Sequence, residues 1–268
     1  SAFFLVSTED DDEAARAAGW LYLLASHFAI LCLFALFSLL RGATGSYTFG
    51  PVDEASVGAG IKTAMFVLAL LGFGLKAGLM PLHVWLPSSH AIAPSHVSAI
   101  MSGVILKMGV YGLVRFTSFF ESPPVTWGAV VLVIGVVSAI LGVAFAISQR
   151  DLKRLLAYSS IENIGIIAIG VGLALLGRSL GRDDWILLGL AGGLLHVWSH
   201  ALFKALLFLS AGSVIHATHT RDIEQFGGLA KSMPATALCF LVGAVAVCGL
   251  PPLNGFVSEL LVYLGLFR

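Results

Sequence analysis

Runs of about twenty apolar residues, separated by short charged or Gly/Pro-containing segments, recur along the whole chain. A helix of that length is what crosses the hydrocarbon core of a bilayer, and no other repeating pattern in the sequence competes with it. Seven such runs stand out: Trp20 to Leu40, Val57 to Leu79, Ser95 to Phe116, Val125 to Ser148, Leu152 to Leu176, Trp185 to Val214 and Ala235 to Leu266. The last two are long for one crossing and predict tilt, a break or interfacial turns. Composition agrees, because only 11% of the 268 residues are charged and 58% are hydrophobic, where soluble domains carry about 25% charged residues. The expected fold class is an all-α, polytopic transmembrane helix bundle. Its 15 basic and 15 acidic side chains cancel, which leaves no basic field for nucleic acid.

Charge concentrates in the connections. Glu9 to Glu13 with Arg16, then Arg150, Asp151, Lys153 and Arg154, then Arg178, Arg182, Asp183 and Asp184, and finally Arg221, Asp222, Glu224 and Lys231 mark the loops. Lys and Arg divide evenly between the two sides, so the positive-inside rule ties, and the dense Arg150 to Arg154 cluster assigns its side to the cytoplasm. The ends read as cut: Ser1 to Val6 resemble the tail of a helix, and Arg268 follows an apolar run still in progress. One transmembrane domain over 1–268, part of a longer chain, is therefore expected. Cys32, Cys239 and Cys248 lie in apolar runs without CxxC spacing and read as small packing residues.

Two runs are interrupted. Lys76 is followed by Gly78, Pro81 and Pro87, and the final run contains Gly249-Leu-Pro-Pro-Leu-Asn-Gly255. Proline removes a backbone donor and clashes with the preceding turn, so both helices are expected to unwind there. Such breaks are tolerated in a membrane only where protein or water satisfies the freed groups, and in transporters they mark inverted repeats and the ion path.

The ionisable residues inside the apolar runs carry the functional signal. Lys76 is flanked by apolar residues on both sides, and a charge at that depth costs about 2.5–3.5 kcal/mol even on the lenient insertion scale. It calls for a partner or a polar cavity, unless it snorkels from a helix end. Lys107 lies too deep in its run to snorkel easily. His196, His200 and Lys204, spaced i, i+4, i+8, form one stripe about 12 Å long on a helix. Imidazole titrates near neutral pH, and a lysine stripped of water can do so too, so the stripe could pass protons stepwise. A single buried His is ordinarily a satisfied packing residue; three titratable groups on one face are not. His196 and His200 also match a zinc-ligand spacing, but Val-Trp-Ser intervenes with no Glu and no third ligand nearby, so no metal and no catalytic site are expected. Glu259 follows the second break and must be paired or carry a proton. Glu162 is similar, with a helix-end position as its ordinary explanation. His83, His90, His96, His216 and His219 read as helix-end histidines, His83 and His96 being kept in reserve.

With these residues in view, the chain resembles the antiporter-like subunits of respiratory complex I, Mrp-type antiporters and membrane-bound hydrogenases. The resemblance rests on Gly74-Leu-Lys-Ala-Gly-Leu-Met-Pro-Leu-His-Val-Trp-Leu-Pro, Ala93-Pro-Ser-His-Val-Ser-Ala, Asp151-Leu-Lys-Arg-Leu-Leu-Ala-Tyr-Ser-Ser, His200-Ala-Leu-Phe-Lys-Ala-Leu-Leu-Phe and Gly249-Leu-Pro-Pro-Leu-Asn-Gly-Phe. Ser98 to Lys107 and Ser159 to Gly165 look most like the hydrogenase and formate hydrogenlyase branch. The resemblance implies an inverted-repeat fold with two discontinuous helices, and proton-relay roles for Lys76, Lys107, His200, Lys204 and Glu259; His196 and Glu162 join them on position. It also implies that the glutamate partner of Lys76 would precede Ser1. It further implies no redox cofactor, membrane partner subunits that carry the electrons, a prokaryotic inner membrane, and protons or sodium as the transported ion. The rival readings are a cation/proton antiporter subunit without a redox partner and, remotely, an intramembrane metalloenzyme.

Overall fold

The computed structural model describes residues 2–8 and 12–268. Ser1, and the Glu9, Asp10 and Asp11 part of the first charged loop, lie outside the described residues. A short helix α1 (Ala2–Val6) precedes α2 (Glu13–Thr44), which is capped by the Asp12 carboxylate. The broken pair α3 (Ala59–Ala77) and α4 (Trp85–Ile92) follows. A third crossing comprises α5 (Ser95–Ile100), a π-helical turn (Met101–Ile105) and α6 (Leu106–Thr117). Then come α7 (Val125–Ile147), α8 (Leu152–Leu180) and α9 (Asp183–Thr218). After a short α10 (Leu229–Ser232) the last run divides into α11 (Pro234–Val247) and α12 (Asn254–Leu266).

Six of these helical stretches are long and apolar enough to span a membrane, and the polytopic all-α expectation holds. The seventh run does not make a continuous span. It is two helices of 14 and 13 residues, divided where Gly249, Pro251 and Pro252 remove helical geometry or backbone donors. By contrast α9 continues unbroken for 36 residues, roughly 54 Å at 1.5 Å per residue, so it must tilt or project from a core about 30 Å thick. Pro87, expected to unwind its helix, sits instead in the first turn of α4, where no intrahelical donor is needed. The π turn was not legible in the sequence.

Helix α8 is the hub, with 89% of its membrane-length window buried against 22% for α2 and 28% for α7. Glycines set the closest contact. A methyl group at Gly135 of α7 would lie 2.7 Å from the Ile169 nitrogen, and one at Gly165 of α8 2.5 Å from the Ala139 nitrogen, so the two backbones touch and dispersion acts along their length. The loops gather into two end layers, as the alternation of crossings requires. On one, Leu152 N–H donates to the Arg221 carbonyl (3.0 Å), Ile223 N–H to the Arg150 carbonyl (2.9 Å), and Arg150 pairs with Glu224 (3.2 Å). On the other, Arg178 donates to the Thr117 carbonyl (3.0 Å) and to the Phe120 carbonyl, while Arg182 pairs with Asp184 (2.8 Å). Cys32 is buried, whereas Cys239 and Cys248 are exposed, so only the first serves as internal packing.

Candidate functional site

The break after Lys76 is held open by two side chains. Met80 N–H, freed by the end of α3, donates to Ser138 Oγ of α7 (2.9 Å), and the Leu75 carbonyl accepts from Trp85 Nε1 (2.9 Å). Left unpaired, the buried Met80 N–H would cost about 1–3 kcal/mol; the Leu75 carbonyl also accepts from Gly78 N–H (3.2 Å). Lys76 is half-buried in the last turn of α3 and reaches a cavity of about 430 Å³ among Phe37, Phe73, Tyr111, Arg115 and Phe119. The expected polar cavity is thus mainly aromatic, with Arg115 its other cation. No carboxylate among the described residues pairs with Lys76.

The stripe on α9 is regular and faces inward, as predicted. His196, His200 and Lys204 have no exposed surface, while Trp198 on the opposite face is 67% exposed. Two limbs run from it. Lys107, in the first turn of α6 just past the π turn, donates to the Ser102 carbonyl and contacts His200 Nδ1. Ser102 Oγ in turn lies 2.9 Å from Ser160 Oγ on α8. His200 Nε2 is buried without a hydrogen-bond partner, and its ring is 6.4 Å from that of His196.

On the second limb, Lys204 donates to the Leu156 carbonyl (3.1 Å) and to Ser159 Oγ, both on α8. Lys204 thus bonds the hub helix, and bonds neither Lys107 nor Glu259 directly. Asn163 Nδ2 donates to the Ser159 carbonyl (2.7 Å), and Asn163 Oδ1 lies 3.0 Å from His196 Nε2. His196 Nδ1 is 2.8 Å from Ser258 Oγ on α12. The lysine and histidine limbs meet at Ser159 through different atoms, so no unbroken hydrogen-bond wire joins them.

The two carboxylates flank this file. Glu162 is eleven positions into α8, half-buried beside Gly142 of α7, so it is not a helix-end residue. It interacts electrostatically with Lys204 and with Glu259. Glu259 is half-buried and lies over the second break: a methyl group at Gly249 would be 2.6 Å from its Oε2.

Sequence reasoning missed several members. Lys153, read as a loop charge, is buried and donates to the Ala93 carbonyl. His90, read as a helix-end histidine, has no exposed surface, stacks on Phe208 (4.9 Å) and has both ring nitrogens without hydrogen-bond partners. His96, kept in reserve, is exposed, while His83 is half-buried with Nδ1 unpaired. Ser102, Ser159, Asn163 and Ser258 gave no signal alone; Ser159 and Asn163 at i, i+4 on an apolar helix were the readable hint.

A family model described as "NADH:quinone oxidoreductase/Mrp antiporter, TM" matches residues 1–268. Hydrogenase-4 component B of Escherichia coli (strain K12) is 44% identical over 270 residues, spanning 100% of this chain and 40% of the relative. Formate hydrogenlyase subunit 3 of the same strain is 43% identical over 204 residues, 76% of this chain and 34% of the relative. The chain therefore covers well under half the length of these relatives. In the solved Mrp complex from Dietzia sp. DQ12-45-1b, one chain superposes with a TM-score of 0.84 at 27% identity, over 95% of this chain and 46% of that one.

Proposed function

The chain belongs to the NADH:quinone oxidoreductase/Mrp antiporter transmembrane family, and from that premise we propose that it moves protons across a prokaryotic inner membrane as part of a redox-driven complex. It is an integral, multi-pass membrane protein by family and by its six membrane-length helices. The supporting observation is the buried file of Lys107, His200, His196 and Lys204, flanked by Glu162 and Glu259, inside a bundle of membrane-length apolar helices. Ionisable groups at this depth are expensive and mark ion paths. In this reading a proton passes between Lys107 and His200 over their direct contact. Small side-chain or water rearrangements then carry it between the histidines and on to Lys204, Glu162 and Glu259. Lys76 shifts its charge state at the first break and feeds the file. The partners are other membrane subunits of a hydrogenase or respiratory complex, which hold the electron carriers, and the surrounding lipid.

The likeness to the Mrp complex favours a second reading, a cation/proton antiporter subunit. The full-length parent complex reconstituted in sodium-free vesicles separates them. Proton movement started by an electron donor supports the redox-driven reading; movement that needs an imposed sodium gradient and no donor supports the antiporter.

A further inference from the structure

His196 is gripped at both ring nitrogens by neutral side chains, and the two grips differ in what they permit. On α8, the Asn163 amide is oriented by its own bond from Nδ2 to the Ser159 carbonyl (2.7 Å). Turned over, it would set Oδ1 against that carbonyl, lone pair against lone pair, so the oxygen must be the atom 3.0 Å from His196 Nε2. An amide oxygen only accepts, and Nε2 therefore carries a hydrogen. In the neutral ring Nδ1 is then a bare lone pair, and the Ser258 hydroxyl at 2.8 Å is its donor.

That hydroxyl has alternatives. Ser258 Oγ also lies 3.0 Å from the Asn254 carbonyl and 2.9 Å from the Gly255 carbonyl, both in the first turn of α12, directly after the break. We propose that Asn163 locks His196 in the Nε2–H tautomer and that Ser258 acts as a hydroxyl rotor, which leaves Nδ1 as the ring's single proton port. When Nδ1 takes a proton that side-chain or water rearrangement brings from a protonated His200 ring, one N–H bond breaks on His200 and one forms at Nδ1, so the positive charge moves from the His200 ring to the His196 ring. The new N–H donates to Ser258 Oγ, whose own hydrogen turns to the Gly255 or Asn254 carbonyl. The Nε2–H bond to Asn163 is unchanged. Both charge states are thus fully hydrogen-bonded, and the charge of His196 is reported to the segment that follows the second break. Asn163 and Ser258 are positioning residues. The titratable groups on the surrounding elements are Lys107 on the third crossing, His200 and Lys204 on α9, Glu162 on α8 and Glu259 on α12; none bonds His196.

The tautomer assignment stands alone; the proton port rests on the relay reading above. The test uses the full-length protein with ¹⁵N-labelled histidine, the His196 signals being assigned by their loss in His196→Gln. At neutral pH the expected pattern is a protonated Nε2 and an unprotonated Nδ1, with that preference lost in Asn163→Leu. A protonated Nδ1 in the neutral wild-type ring, or an unchanged pattern in Asn163→Leu, overturns the lock. Ser258→Ala should slow translocation, and Ser258→Thr, which keeps the hydroxyl, should restore it; wild-type rates in Ser258→Ala overturn the rotor. If His196→Gln translocates normally while the tautomer is as stated, the lock stands and the proton port is overturned; if Lys204→Ala also translocates normally, the relay reading itself fails.

Discussion

A lysine inside a bundle without a carboxylate in contact must be held by neutral dipoles, and Lys107 and Lys204 are: each is bound to a main-chain carbonyl, and to His200 or Ser159. Such bonds offset only part of the cost of taking a charge out of water, so an apolar side chain of similar volume need not weaken the fold. Lys204→Met is therefore expected to leave the thermal unfolding midpoint in detergent unchanged or raise it, while translocation falls. A drop of several degrees would mean that Lys204 is there for the fold. His196→Ala should reduce translocation less than Lys204→Ala, since Ser258 and Asn163, which hold the ring, remain to order water in the space it leaves. These lysines and histidines were legible because hydropathy makes a charge in an apolar run conspicuous. Ser159, Asn163 and Ser258 were not, because each is unremarkable in a helix until a neighbouring helix brings a partner. His90 was misread because Pro87 and Pro94 make its surroundings look like a loop, whereas Pro87 opens a helix.

At the scale of elements, both breaks were legible from Gly and Pro, but what holds them was not. Ser138 and Trp85 satisfy the groups released beside Lys76 from 58 and 10 residues away in sequence. Ser138→Ala should cost about 1–3 kcal/mol by leaving Met80 N–H unpaired, read as a lower unfolding midpoint and faster amide exchange at Met80; Ser138→Thr, which keeps the acceptor, should cost less. Unchanged exchange at Met80 in Ser138→Ala would show that this bond does not hold the break. The α7–α8 seam makes a sharper expectation. Gly135→Leu drives a side chain into the Ile169 backbone and should prevent assembly, because no rotamer relieves a clash that begins at Cβ.

For the whole molecule, the charged loops divide into two layers, with Arg150 and Arg221 in one and Ser122 and Arg182 in the other. With native cysteines replaced, Arg150→Cys and Arg221→Cys should react with an impermeant thiol reagent from one side of the membrane, and Ser122→Cys and Arg182→Cys from the other. Labelling of both pairs from the same side would refute the crossing pattern. The central claim is that the file between these layers carries protons. Its most direct measurement is the number of protons delivered into vesicles per electron pair by the assembled full-length complex, wild type against Lys204→Ala. A ratio that falls, with assembly and electron transfer by the partner subunits retained, is the predicted result; the wild-type ratio in Lys204→Ala would contradict it and reduce the stripe on α9 to a packed polar seam.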